Sequence, residues 1–210
     1  MSHIKHTRGV LICFEGIDGS GKSLQAKRLA SYLKDAGHDV VSLTEPTNGK
    51  WGGKIRDQAN RGVREAPEEE YLLFMRDRRE NVADNIIPII ERGGVVVLDR
   101  YYFSTIAYQG ARGLEIERIR SENEAFAPTP DLLLFLDVPV ATGLDRISKN
   151  RRGVTAFETR GYLTRVREIF LDTVSSLEYA VVIDGTLPPD QVFEACLSAV
   201  RRKLSLFPHD

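Results

Sequence analysis

The chain has 210 residues, 42% hydrophobic and 28% charged, a composition that builds a packed core and excludes a disordered polymer. Its 29 Lys+Arg against 30 Asp+Glu leave a net charge of −1, so no overall field draws it to nucleic acid or membrane, and any anion binding is local. It holds no apolar stretch of about 18 residues, no collagen repeat and no long heptad run, which removes membrane-spanning and fibrous classes. Residues 1–9 lack an apolar h-region, so no secretory signal is expected. The two cysteines, Cys13 and Cys196, are expected as buried free thiols of a reducing cytoplasm.

In chain order, short apolar runs at 10–14, 40–43, 95–98, 132–136 and 180–183 predict strands. Their near-continuous hydrophobicity suits parallel strands covered on both faces. After the first run, Ala26, Leu29, Ala30 and Leu33 follow the i, i+3, i+4, i+7 spacing of a helix, and Gly37 is placed to end it. After the second, a helix is expected from Pro67, with Glu68, Glu69 and Glu70 complementing its dipole. It continues through Tyr71, Leu72 and Met75 to Ile90, with Pro88 forcing a kink or an early stop, and Gly93-Gly94 hands over to the third strand. The order β-α-β-α-α-β-α-α-β-α-α-β-α predicts an α/β fold: a doubly wound parallel sheet of about five strands with helices on both faces. No Ser/Gly-rich linker or repeat divides the chain, so one domain spanning 1–210 is expected.

The first strand runs into Gly16-Ile17-Asp18-Gly19-Ser20-Gly21-Lys22-Ser23, a full G-x-x-x-x-G-K-[ST] match that leads into a helix. Such glycines let successive backbone N–H groups curl around phosphate oxygens at a helix N-terminus. Lys22 would bridge the β- and γ-phosphates of ATP, and Ser23 would offer its hydroxyl to Mg²⁺. No Asn-Lys-x-Asp segment for reading guanine occurs, which turns the reading from a GTPase switch toward a small kinase or an ATPase.

The third strand ends in Asp99-Arg100, and ligands of open α/β sheets bind outside the carboxyl ends of strands. Asp99 can hold the Mg²⁺ shell while Arg100 supplies a guanidinium fork for a second phosphate. Asp137, closing the fourth strand just before Pro139, is a rival for the metal and is equally explained by a turn or cap.

The stretch 14–23, the string Asp99-Arg100-Tyr101-Tyr102-Phe103-Ser104-Thr105-Ile106-Ala107-Tyr108-Gln109-Gly110, and Pro130-Asp131-Leu132 together resemble the thymidylate kinase family over nearly the whole chain. The resemblance implies a P-loop kinase fold with a small lid and transfer of the ATP γ-phosphate to dTMP. It implies a homodimer and no nucleic-acid or membrane partner. Asp18 looks like the acceptor for a deoxyribose 3′-hydroxyl, Phe74 like the ring that stacks on thymine, and Arg78 like a donor to a thymine carbonyl. Phe74 and Arg78 lie four residues apart on one helix face, although a core role for Phe74 is the alternative. Thr105 and Gln109 are candidates for the base edge, and Tyr108 for crowding the sugar 2′ position. The family shows Arg-Glu-Pro where Thr44-Glu45-Pro46 stands, so one phosphate contact is missing beside Glu45. Arg56 matches a family arginine that reaches the acceptor phosphate.

From Arg146 to Arg167 the chain is strongly basic, and the family has its lid there, at about 146–160. The family's Asp-Arg-Phe-Glu string reads Thr155-Ala156-Phe157-Glu158, so Arg151 and Arg152, then Arg146, are the nominees for stabilising the transferred group. Two other readings remain: a related kinase for another nucleotide or nucleoside, and a non-catalytic ATP-binding module.

Overall fold

A computed structural model describes residues 9–62, 65–148, 156–204 and 206, side chains at 148 and 156–159 excepted. Five strands, β1 (Val10–Glu15), β2 (Val40–Thr44), β3 (Val95–Asp99), β4 (Leu132–Asp137) and β5 (Ala180–Asp184), form one sheet in the order β2-β3-β1-β4-β5. Every neighbouring pair is parallel. Each strand follows an expected apolar run and extends it by one residue: Glu15, Thr44, Asp99, Asp137 or Asp184. Backbone pairing thus outlasts the hydrophobic signal at the carboxyl end, where functional side chains emerge.

Alternate residues of the central strands face two separate cores. Leu11, Cys13, Val96, Leu98, Leu133 and Phe135 pack against helices on one face, with Tyr102, Ile106, Val166 and Phe170 among their partners. Ile12, Phe14, Val95, Val97, Leu132 and Leu134 pack against α1 (Lys22–Asp35) and, later in the chain, residues such as Phe193 and Leu197. Full cover on both faces holds for β1, β3 and β4. It fails at the edges, where Ser42 and Thr44 of β2 are exposed and Val182 of β5 is 52% exposed.

The four apolar positions expected for α1 are buried. The helix ends in a Schellman turn: Gly37 N–H donates to the Lys34 carbonyl at 2.9 Å and His38 N–H to the Leu33 carbonyl at 3.1 Å, with Gly37 at φ +90°. After β2 come α2 (Lys50–Asn60) and α3 (Pro67–Asn81), which starts at the proline as expected. The kink assigned to Pro88 is realised earlier, as a π-helical turn over Val82–Ile86 before α4 (Ile87–Glu91). Ile87 N–H reaches back five residues to the Val82 carbonyl, so the wider turn shifts the backbone before the proline ring meets the preceding carbonyls. The chain then continues with α5 (Tyr102–Gly110), α6 (Ile116–Glu124), α7 (Val140–Ser148), α8 (Ala156–Ser175) and α9 (Pro189–Lys203). Cys13 and Cys196 are both buried and free. Among the described residues no helix is long and apolar enough to cross a membrane.

The chain order reverses across β1, which lies between β3 and β4. The crevice outside its carboxyl end is therefore the topological switch point where α/β sheets bind ligands.

Candidate active site

β1 leads directly into the glycine-rich loop. Gly16 has φ +149°, and a Cβ there would stand 2.6 Å from the Leu136 carbonyl oxygen. At Gly19, φ is +81° and a Cβ would meet the Gly143 carbonyl oxygen at 2.3 Å, so α7 packs directly on the loop backbone. Gly21 precedes α1 without any side-chain cap, leaving the helix N-terminus open to an anion. The Ile17 side chain is buried, and its carbonyl accepts from the Ser20 amide at 3.2 Å. Ser20 Oγ is buried without a partner, while Ser23 is exposed on the first turn of α1.

Lys22 is only 5% exposed. Its Nζ donates to the Ile17 carbonyl at 3.4 Å and lies 3.7 Å from Asp18 Oδ1. Burial foremost, then the charge of Arg100, pull the lysine down to about 8, against the opposing pull of Asp18, Asp99 and Glu15. It is a cation short of counter-charge, which a triphosphate would supply.

The structure separates the two acids proposed for metal. Asp137 accepts a bidentate pair from Arg167 of α8, both bonds at 2.7 Å. Asp99, in register with Phe14 beside the loop, has a buried Oδ1 with no partner. Among the described residues no cluster of three His, Cys, Asp or Glu forms a protein-only metal cage. An orphaned carboxylate oxygen outside any protein-only cage instead suits Mg²⁺, which keeps waters and takes substrate phosphate oxygens.

Arg100 has φ +70°, the one positive φ outside glycine among the described residues. Its guanidinium bonds Asp18 Oδ1 at 2.5 Å and Ser104 Oγ at 2.9 Å, and lies 5.2 Å from the Tyr108 ring centre. Behind it stands Glu15, wholly buried. Glu15 accepts from the Tyr101 amide at 2.7 Å, the Ser104 amide at 3.0 Å and the Ser104 hydroxyl at 2.6 Å. Burial raises this carboxyl to about 7, although the Ser104 hydroxyl, the Arg100 charge and the two amides oppose the rise. Sequence reasoning gave Glu15 no role. The available signal was an acid closing an otherwise apolar strand.

The other half of the crevice lies between α3 and α5. Arg78 of α3 meets Thr105 of α5, and Glu70 of α3 meets Gln109 of α5, so the two helices run antiparallel. Phe74 sits midway between the two bridges. It is half-buried yet belongs to neither hydrophobic cluster, which argues against the core alternative and leaves a ring available for stacking.

Arg78 is 1% exposed. It donates to Glu45 Oε2 from Nε at 2.8 Å, to Asn123 Oδ1 at 2.7 Å and to the Thr105 hydroxyl at 3.0 Å, and its Nη2 lies 2.7 Å from Glu45 Oε2 in the ion pair. Three of a guanidinium's five N–H groups are thereby engaged as donors, so donor capacity remains for a ligand carbonyl. Glu45 accepts from Asn81 at 3.0 Å with its other oxygen. Both its oxygens accept from protein groups, so Glu45 holds Arg78 in this arrangement. Burial raises its carboxyl despite the facing Arg78 charge. Asn81 and Asn123 carried no sequence signal, because their partners are distant in the chain.

The Tyr108 hydroxyl is buried on the Arg100 side, close to the Asp18 backbone. Arg56 of α2 donates to the Pro46 carbonyl at 2.5 Å and to the Thr47 carbonyl. Asp77 fixes that loop, accepting from Thr47 N at 2.7 Å and from its hydroxyl at 2.6 Å. Exposed Lys50 lies over the Trp51 ring, and the Thr44 hydroxyl donates to the Asp99 carbonyl at 3.3 Å. Arg151 and Arg152 lie outside the described residues. Arg146 is described, and its Nη1 donates to the Gly19 carbonyl at 3.2 Å and the Gly185 carbonyl at 3.0 Å, against the phosphate loop.

A family model for thymidylate kinase matches residues 14–196. The chain is 49% identical over 209 residues to a thymidylate kinase of Akkermansia muciniphila, an alignment covering 99% of this chain and 98% of that one. It is 47% identical over 196 residues to a thymidylate kinase of Xylella fastidiosa strain M12, covering 93% and 88%. A probable thymidylate kinase of Archaeoglobus fulgidus is 42% identical over 197 residues, covering 94% and 97%. With the match running from the phosphate loop through α3, α5 and both strand-end acids, the chain belongs to the thymidylate kinase family.

Proposed function

We infer that the chain transfers the γ-phosphate of ATP to dTMP, giving dTDP for dTTP biosynthesis. The observation that carries this reading is the meeting of two unlike half-sites at one crevice. One is a curled backbone with an under-compensated lysine; the other is a slot with a free aromatic ring and a buried arginine.

In this reading the amides of residues 16–23 cradle the triphosphate, and Lys22 follows the charge as it moves from γ-phosphate to acceptor. Asp99 and Ser23 would hold Mg²⁺, which would screen phosphate charge when bound. Thymine stacks on Phe74, with Arg78, Thr105 and Gln109 along its edge. Asp18 takes the 3′-hydroxyl and Tyr108 crowds the 2′ position. Arg100 and Arg56 hold the acceptor phosphate in line. A phosphate oxygen needs no general base near neutral pH. The reaction therefore rests on positioning and on charge stabilisation, to which Arg151 and Arg152 contribute from a lid at about 146–160. One domain over 1–210, a homodimer and a cytoplasmic setting complete the proposal, the last supported by the two free buried thiols.

ADP formation with dTMP, dUMP, dCMP, dGMP or thymidine as acceptor tests it. dTMP should accelerate ADP release most strongly. A preference for thymidine or another monophosphate would point to a related kinase, and no acceleration by any acceptor to an ATP-binding module.

A further inference from the structure

Gln109 is 2% exposed, and its two amide atoms have opposite fates. Nε2 donates to Glu70 Oε2 at 2.8 Å, whereas Oε1 is buried with no partner. The assignment of the two atoms follows from chemistry: an ionised carboxylate only accepts, so the amide atom facing Glu70 is the nitrogen. Glu70 is itself braced. The same oxygen accepts from Arg112 Nη1, and Arg112 Nη2 donates to the Glu65 carbonyl at 2.6 Å. Glu70, Phe74 and Arg78 recur every four residues on α3, and Thr105 and Gln109 do so on α5, so both rows line one slot. At one end Arg78 has only donors. At the other, Gln109 is turned to present only an acceptor.

We propose that Glu70, braced by Arg112, is a positioning residue that sets pyrimidine selectivity by locking the Gln109 amide with its carbonyl toward the slot. An arginine donor and an amide acceptor in one slot complement the carbonyl and adjoining ring N–H of thymine or uracil. Cytosine presents an amino group and a bare ring nitrogen there, so both contacts become like against like. A buried polar group left unpaired is what makes such rejection strong. The inference rests on the dTMP reading and adds to it the residue that orients the reader of the base.

The test compares kcat/KM for dTMP and dCMP in the wild-type chain and in Glu70→Ala, Glu70→Gln and Arg112→Ala, with melting temperatures alongside. In Glu70→Ala the amide is free to turn, and the dTMP-to-dCMP ratio should fall roughly tenfold or more. Glu70→Gln keeps a carbonyl that can accept from Gln109 and should restore most of the ratio. Arg112→Ala, which loosens Glu70 from outside the slot, should shift the ratio in the same direction by less. If Glu70→Ala lowers both substrates by one factor, the residue is only structural and the proposal falls while the dTMP reading stands. A wild-type chain that ignores dTMP overturns both.

Discussion

The two halves of the crevice are built from different material. The phosphate half is main chain: glycines whose added Cβ atoms would collide with Leu136 and Gly143, a helix start without a cap, and one buried lysine. The base half is side chain: Arg78, Glu45, Asn81, Asn123 and Thr105 joined in one buried network across three helices and the loop after β2. Backbone amides recognise any phosphate and keep their geometry whatever the neighbouring side chains do. A side-chain network recognises one base edge, but each member depends on the others, and losing one strands a buried charge. Function and stability are therefore separable in the first half and entangled in the second.

Lys22→Ala is the strongest way to break that contrast. Turnover in a coupled ADP assay should fall about a thousandfold or more, while calorimetric stability at pH 7 does not fall. Folding lowers the proton affinity of Lys22 to about 8, so the folded chain binds fewer protons than the unfolded one above that value. Wild-type stability should accordingly rise with pH from about 8 toward the ordinary lysine range, and the variant should lack that component.

Arg78→Met should behave oppositely. It leaves Glu45 buried and unpaired, and urea unfolding should show a loss of about 3–5 kcal/mol. Adding Glu45→Gln should recover part of it, although dTMP binding stays weak.

Glu15 joins the two halves, since it caps α5 and holds Ser104 behind Arg100. Its carboxyl is raised from 4.5 to about 7, so between those values the folded chain binds the extra proton. Stability should therefore decline as pH rises from about 4.5 to about 7, by about 3 kcal/mol. Glu15→Gln should flatten that decline in unfolding curves taken across the range.

The smallest effect sharpens the comparison inside the base half. Phe74→Ala should raise the KM for dTMP about tenfold through lost stacking and cost under about 1 kcal/mol of stability. Phe170→Ala, in the core, should cost about 3–5 kcal/mol. If Phe74 proved as costly to unfolding as Phe170, it would be a core residue after all.

What the sequence made legible follows the same division. Contiguous features could be read directly: the five apolar runs, the α1 stripe, the loop at 16–23, and Asp99-Arg100 at a strand end. The strand tips were missed by one residue because polar side chains interrupt the apolar pattern while backbone pairing continues. The edge strands looked fully covered because Val182 is apolar yet exposed. Asp99 could be preferred over Asp137 only on the arginine that follows it, because the arginine that engages Asp137 lies 30 residues away. Glu15 and Ser104 are separated by 89 positions, and Arg78 and Asn123 by 45. No local pattern encodes such pairs. The base slot was recognisable only through family resemblance, and the residues that hold its readers in place were not recognisable at all.

A crystal structure with dTMP and a non-hydrolysable ATP analogue tests the division of labour most directly. The thymine ring should lie on Phe74 with one edge between Arg78 and Gln109, and the triphosphate should be gripped by the amides of residues 16–23 with Lys22 across its far end. A pyrimidine bound away from the α3–α5 slot, or a triphosphate held mainly by side chains, would contradict the account.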